Sequence, residues 1–211
     1  MTEPSIPPRP KPPAAMIQVE EFAYVDMRVE PAPDVWKWIE QHILEESGAI
    51  HNPDHSHLLV ADIEVMWGST SFAKKGRTVI GQAEEVALRA GGWQKARMEQ
   101  QMTDWFGRTP KYLITLAADF CDQCSDADFC ALVEHELYHI AQKLDAGGVP
   151  KFNEDGMPML EMRAHDVEEF VGVVRRYGPN AQVQEMIEAA KLPPEVSALC
   201  VSKACGTCLG R

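Results

Sequence analysis

The chain has 211 residues and a formal net charge of −12, from 32 acidic and 20 basic side chains. Its apolar content of 45% is ordinary for a globular protein and enough for one hydrophobic core. Such an acidic chain is a poor general binder of nucleic acid, because lysine and arginine supply the affinity for phosphate backbones. No apolar run reaches the roughly 18 residues of a membrane span, and no secretory signal is evident. We therefore expect a cytoplasmic protein without membrane contact.

The N-terminal segment differs in composition from the rest of the chain. Residues 1–15 contain six of the fifteen prolines. We predict an extended, disordered segment there, because a proline-rich sequence cannot bury enough surface to fold. One folded domain is expected over residues 16–190, followed by a cysteine-containing tail at residues 191–211.

Strands and helices are predicted in an irregular order within this domain. Residues 16–29 are predicted to form a strand, and Asp34 to N-cap a helix whose apolar residues recur at helical spacing. Further strands are predicted within residues 57–67, 76–86 and 111–120, and a glycine-bounded helix within residues 91–107. No internal repeat is apparent. The mixed order predicts an α+β fold with a small mixed sheet rather than regular β–α–β winding.

The segment "LVEHELYHI" carries the strongest chemical signal in the chain. Ser125 and Asp128 precede it with the spacing of a helix-capping pair, so a helix is predicted from there to the glycines that begin at Gly147. At about 100° per residue, its apolar positions form one stripe, and His135 and His139 lie one turn apart on the opposite side. A helix that used these histidines as core would not place both away from its apolar stripe.

Two imidazoles at positions i and i+4 of a helix can bind one Zn²⁺ ion. A catalytic zinc site needs a third protein ligand and leaves a position for water, whose pKa the metal lowers toward about 7. Glu136 directly follows the first histidine and is placed to accept the proton of that water as a general base. The motif therefore predicts hydrolysis by a zinc-activated water, and it predicts a third ligand elsewhere in the chain.

A second helix, predicted over residues 159–178, offers this third ligand. His165 projects from the face opposite to its apolar stripe, which makes it our first choice. Glu168 and Glu169 lie on the same polar face and stay open as alternatives, as in sites with two histidines and one glutamate. Asp166 lies nearer the apolar side and is expected to orient a ligand imidazole or a helix end.

The segments "HLLVADIEVMW", "GQAEEV", "YLITLAADF", "LVEHELYHI" and "HDVEEFVGVVRRYG" together resemble the putative phage metallopeptidase family of small zincin-like domains. The resemblance covers roughly residues 36–178. It implies a zincin-like core in which a small mixed sheet packs on the helix of the His-Glu-x-x-His motif. It also implies that His135 and His139 bind zinc, that Glu136 is catalytic and that His165 is the third ligand. Such a protein would act on a peptide or protein substrate, in a bacterium or a phage-infected host cell.

Three other functions stay open at this point. A catalytically silent zinc-binding scaffold, such as a phage accessory protein that binds a host partner, would not need Glu136. A more distant similarity is to SprT-like proteases, which combine the same motif with a later histidine, but the acidic charge argues against their DNA-bound role. Hydrolysis of a non-peptide amide would use the same motif. A peptide substrate would bind extended along a sheet edge beside the motif helix, supplied by the strand at residues 111–120 or the strand that begins at Arg77.

The cysteines form two Cys-x-x-Cys pairs, which are typical of a structural zinc site if they meet in space. The pairs are Cys121 with Cys124 and Cys205 with Cys208. They are separated by about eighty residues, more than is usual for a zinc ribbon, so separate reduced thiols are the alternative. The sequence therefore predicts one catalytic zinc ion and leaves a second, structural one open.

The segment "HNPDHSH" is a rival metal site. It supplies His51, His55 and His57 in a short stretch before a predicted strand. Its proline and polar residues favour a surface turn, and no carboxylate is fixed beside these histidines by helical spacing. We therefore favour the site of the His-Glu-x-x-His motif.

Overall fold

The structure is a computed structural model that describes residues 6–17, 27–74, 76–167 and 171–196. The α-helices are α1 (Ala14–Ile17), α2 (Pro33–Ile39), α3 (Gly92–Phe106), α4 (Ala118–Gln123), α5 (Asp126–Tyr138), α6 (Val171–Tyr177) and α7 (Ala181–Ala189). The strands are β1 (Val29–Pro31), β2 (Ile63–Gly68), β3 (Phe72–Lys74), β4 (Arg77–Val79), β5 (Gly81–Glu85), β6 (Tyr112–Ala117), β7 (Ile140–Gln142) and β8 (Leu160–Met162). A π-helical stretch (Glu40–Leu44) extends α2, and a 3₁₀ helix (Pro53–Leu58) precedes β2.

Four strands form a mixed sheet in the order β1-β2-β6-β5. Strands β2 and β6 are parallel, whereas β1 and β5 pair antiparallel with their neighbours. Helices and small sheets together confirm the predicted α+β class. Strand β6 lies inside the sheet, so the segment at residues 111–120 cannot supply a free edge for a substrate, and β5 is the edge strand next to it.

One face of this sheet carries the hydrophobic core. Alternate residues of β2 and β6 are paired across this face and are almost fully buried: Ile63, Val65 and Trp67 with Tyr112, Ile114 and Leu116. The apolar sides of α2 and α5 belong to the same core cluster, including Ile39, Phe129 and Leu137. This packing fixes α5 against the sheet. Among the described residues, no helix is long and apolar enough to cross a membrane.

The segment at residues 6–17 packs against the core, where the sequence predicted disorder. Arg9 is only 8% exposed and donates hydrogen bonds to the carbonyl oxygens of Cys121 and Cys124. It also forms an ion pair with Asp126 at 2.8 Å. Met16 in α1 joins the core cluster. Composition missed this segment because a few long-range bonds from one buried guanidinium can order a proline-rich stretch. The wider division into domain and tail stays a prediction.

Several element boundaries depart from the sequence expectation by a few residues. The helix after β1 begins at Pro33 with Ala32 as its N-cap, so Asp34 lies in the first turn and is not the cap. Proline favours the first helical position, where its missing N–H is no loss. The glycine-bounded helix is confirmed as α3, which ends where Gly107 adopts a left-handed conformation. Most of the strand predicted at residues 16–29 lies outside the described residues.

The motif helix α5 begins as predicted and ends early. The Ser125 side chain accepts a hydrogen bond from the Asp128 backbone N–H and donates one to its carboxylate, which confirms the capping pair. The helix stops at Tyr138, nine residues before the first of the glycines at 147 and 148. Ile140 instead starts β7, which pairs antiparallel with β8. Pairing with a distant strand overrides the local helix propensity of these residues.

The second helix predicted at residues 159–178 is therefore wrong over its first half. Leu160–Met162 form β8, and residues 163–167 are irregular. Helix α6 covers only Val171–Tyr177. The third-ligand candidate His165 thus lies in a connecting segment after a strand, and not on the face of a helix.

An internal repeat fills the connection from β7 to β8. The units "KLDAGGVP" (143–150) and "KFNEDGMP" (151–158) follow each other directly. In both units the third residue, Asp145 or Asn153, accepts two backbone N–H bonds across a turn that contains a left-handed glycine. This pairing of turns was overlooked in the sequence, although the spacing of lysine, glycine and proline reveals it. The repeat joins the segments that carry His139 and His165.

Candidate metal centre

Three imidazoles meet at one point beside α5. His135 lies on the last turn of α5, His139 immediately follows the helix, and His165 lies three residues after β8. The Nε2 atom of His135 is 3.2 Å from Nε2 of His139 and 3.1 Å from Nε2 of His165. Of the His, Cys, Asp and Glu side chains in the described part of the chain, only these three are grouped closely enough to hold a metal ion.

The three nitrogen atoms fit a small divalent ion. Zinc–nitrogen bonds of about 2.0–2.1 Å in a tetrahedral arrangement separate the ligand nitrogens by about 3.3–3.4 Å. The observed separations of 3.1 and 3.2 Å are close to this spacing. Three imidazoles pressed together so closely have little reason to converge as core filler, because each ring carries a polar nitrogen into the contact. The cluster can therefore hold one metal ion.

A backbone group fixes the tautomer of His139. Its Nδ1 atom lies 2.7 Å from the carbonyl oxygen of Arg163, and a carbonyl oxygen can only accept a hydrogen bond. Nδ1 therefore carries the proton, and Nε2 presents its lone pair to the cluster. The Arg163 N–H in turn donates to the carbonyl of His139 at 2.8 Å. The pairing of β7 with β8 thus orients one of the three rings.

Three further residues were predicted near the third ligand: Asp166, Glu168 and Glu169. Asp166 forms an ion pair with the Arg163 side chain. The group found on His139 is the backbone carbonyl of Arg163, which no sequence pattern could reveal. Glu168 and Glu169 lie outside the described residues, so their role as alternative ligands stays a prediction.

Glu136 lies on the sheet side of α5 and is completely buried. It faces Gly81 at the start of the edge strand β5. A Cβ atom added to Gly81 would lie 2.6 Å from Oε1 of Glu136 and 2.7 Å from Cδ1 of Leu132. An added Cβ would force the Glu136 or Leu132 side chain to shift, so glycine lets the sheet edge approach the helix this closely with both side chains in place. Gly81 could not be recognised from the sequence, since one glycine in a strand carries no chemical signal.

The rival histidines do not form a common site. His51 donates to the carbonyl of Ile43, and His57 donates to the carbonyl of Ile140 at 2.8 Å. His55 is buried, and its ring packs on the Tyr138 ring with centroids 4.4 Å apart. Their imidazoles are thus directed to three different neighbours.

The first cysteine pair lies at the end of α4, just before the motif helix. Cys121 is buried, Cys124 is partly exposed, and both are reduced. The hydrogen bond between the two thiols raises the pKa of Cys121, which burial raises further, and lowers the pKa of Cys124. Cys205 and Cys208 lie outside the described residues, so the four-cysteine zinc site stays a prediction. Cys130 is buried in the core.

The fold and the site define an α+β protein with a three-histidine cluster suited to one divalent metal ion. The family described as "Putative phage metallopeptidase" matches residues 36–191, which is most of the chain. The chain belongs to this family, as the sequence resemblance indicated. No curated protein and no solved structure matches the chain significantly.

Proposed function

We propose that this protein is a zinc-dependent metallopeptidase with a zincin-like active site. In this proposal His135, His139 and His165 hold the metal, and Glu136 is the general base. The observation that carries the proposal is the convergence of one ring nitrogen from each of the three histidines within 4.8 Å of one another, with Glu136 directly after His135 in α5. Membership of a phage metallopeptidase family supports it, and favours action inside a bacterial or phage-infected cell.

A zinc ion held by His135, His139 and His165 would supply a bound water of lowered pKa and Lewis-acid assistance to the carbonyl. The chain contributes the proton chemistry. Glu136 is completely buried, so bulk water does not interfere with its proton transfer. Its carboxylate accepts the proton and passes it to the leaving amine. The Arg163 carbonyl keeps His139 in the tautomer that leaves Nε2 free for the metal.

We propose that the substrate binds as an extended strand along β5. This strand is an edge of the four-stranded sheet, and its first residue, Gly81, lies against Glu136. An edge strand presents unpaired backbone groups that can pair with an added peptide. Pairing along β5 would therefore carry the peptide backbone past the carboxylate, which is the geometry that hydrolysis requires.

The proposal is tested by measuring metal content and peptide cleavage on one preparation. The parent protein, loaded with zinc, is incubated with a broad peptide library, then stripped with a chelator and reloaded. We expect cleavage that disappears on chelation and returns with zinc. A protein that holds zinc in the cluster but cleaves no library member would be a silent scaffold, and the peptidase proposal would be wrong.

A further inference from the structure

A cavity of about 230 Å³ borders the metal centre. Its walls come from the 3₁₀ helix before β2, the end of α5, strand β7 and the residue after β8. The lining residues are Asp54, His55, His57, Tyr138, Ile140, Ala141, Gln142 and Arg163. Tyr138 and Ile140 flank His139 in the chain, and the backbone carbonyl of Arg163 accepts a hydrogen bond from the His139 ring. At this size the cavity suits one side chain, since pockets for drug-sized ligands are about 300–1,000 Å³.

Three side chains of the cavity wall offer hydrogen-bond acceptors. The carboxylate of Asp54 accepts one bond, from the Tyr138 hydroxyl at 2.8 Å, and has capacity for more. The Nε2 atom of His57 donates to the Ile140 carbonyl, so Nδ1 of the neutral ring keeps its lone pair. The amide nitrogen of Gln142 donates to the Lys151 carbonyl at 3.0 Å, which leaves its oxygen as an acceptor. An ammonium group has three N–H donors and no acceptor, and so matches this set.

The charges around the cavity favour a cation. Arg163 supplies the one guanidinium among the described residues of the cavity wall, and it is paired with Asp166. In the same wall, Nε2 of the buried His55 lies 3.7 Å from the Glu134 carboxylate, and neither of its ring nitrogens has a hydrogen-bond partner among the described residues. Among the described lining residues Asp54 supplies the carboxylate, so a cation bound beside it gains a direct ion pair, whereas an anion at the same place would be repelled.

We propose that this cavity binds a lysine side chain of the polypeptide on which the metal centre acts. The ammonium group is held by Asp54, His57 and Gln142, and the aliphatic stem lies along the β7 residues Ile140 and Ala141. The substrate part of this inference rests on the proposed peptidase function. The ammonium pocket itself does not depend on that function, because the pocket is inferred from the cavity and its lining residues alone.

The test is a binding experiment that needs no turnover. Zinc-loaded Glu136→Gln protein, chosen so that no probe is consumed, is titrated with N-acetyl-lysine methylamide and followed by amide NMR. We expect saturable shifts at Ala141 and Gln142. The norleucine analogue, which lacks the charge, and the glutamate analogue should bind at least about 10-fold more weakly, as expected when a site that hydrogen-bonds an N–H group meets an analogue without one.

Two variants locate the binding. Asp54→Asn should weaken binding of the lysine probe by about 10-fold. Asp104→Asn, on the exposed side of α3, should leave the affinity for the probe unchanged. Gln142→Leu, at a surface position, gives the same test if the Asp54 variant is unfolded. Equal binding of the norleucine analogue, preferred binding of the glutamate analogue, or no saturable shift at β7 would each overturn the ammonium pocket. A protein that binds the lysine probe but cleaves no peptide would keep the pocket and lose the peptidase.

Discussion

Gly81 of β5 and the Glu136 side chain of α5 face each other at close range. A Cβ atom at Gly81 would lie 2.6 Å from the Glu136 carboxylate, a separation that real Cβ contacts do not show. This contact is where the sheet edge, the buried carboxylate and the motif helix come together. The absence of a side chain at Gly81 therefore allows the sheet edge and the Glu136 carboxylate to lie in contact.

Gly81→Ala should impair both stability and the site. The added methyl group must displace Glu136 or Leu132, and we expect a loss of about 1–3 kcal/mol of unfolding free energy, the usual cost of overpacking. Turnover should fall as well, because the carboxylate moves. Gly91→Ala is the matched control, since a Cβ there meets no atom within 4 Å. Equal behaviour of the two variants would show that the close contact is unimportant.

Glu136→Gln should separate metal binding from catalysis. The amide keeps the size of the side chain but accepts no proton, so turnover should fall by about 10²–10⁴-fold while zinc content stays at the parent level. Glu134→Gln is the control from the same helix, because its oxygen bonds Asn52 at 2.6 Å and not the metal cluster. Full activity of the Glu136 variant would contradict its assigned role.

Arg9→Met should destabilise the protein through the end of α4 and the start of α5. The substitution leaves the buried carbonyls of Cys121 and Cys124 without their donor, and charge-assisted bonds of this kind contribute about 1.5–3 kcal/mol. The melting temperature should fall by several degrees, at about 2–4 °C per kcal/mol for a chain of this size. Lys11→Met, which removes one exposed bond to Asp122, should change it little. A disordered N-terminal segment would make both variants neutral.

Truncation after Lys203 tests the predicted four-cysteine site. It removes Cys205 and Cys208, so the protein should lose one equivalent of zinc and melt at a lower temperature. A Cys205→Ser and Cys208→Ser double variant should reproduce the zinc loss with the tail in place. Unchanged zinc content and an unchanged melting temperature in both proteins would contradict the four-cysteine site.

The sequence predicted those features that depend on local pattern. Helical spacing identified His135 and His139 as neighbours, and the Ser125–Asp128 pair marked the start of α5. His165 was chosen for its residue type and polar surroundings, and the structure brings it to the cluster by a different route, through the pairing of β8 with β7. Local helix propensity could not show this, since strand pairing depends on residues about twenty positions apart.

Other features had no local signal at all. The bond from His139 to the Arg163 carbonyl uses a backbone atom, which every residue type possesses. The buried position of Arg9 depends on carbonyl groups more than 110 residues away. Proline content alone therefore gave the wrong expectation for residues 6–15, although the same composition would be disordered without a buried anchor.

The most direct test of the account is the coordination of zinc in the parent protein and in His165→Ala. X-ray absorption of the zinc-loaded parent should show imidazole nitrogens at about 2.0–2.1 Å, and equilibrium dialysis should show more than about 100-fold weaker retention in His165→Ala, since even outer partners of a metal site contribute 10–100-fold. His51→Asn, whose parent ring bonds the Ile43 carbonyl, should retain zinc like the parent. A spectrum with sulfur ligands at about 2.3 Å and no imidazole, or a His165 variant with parent affinity, would contradict the three-histidine centre.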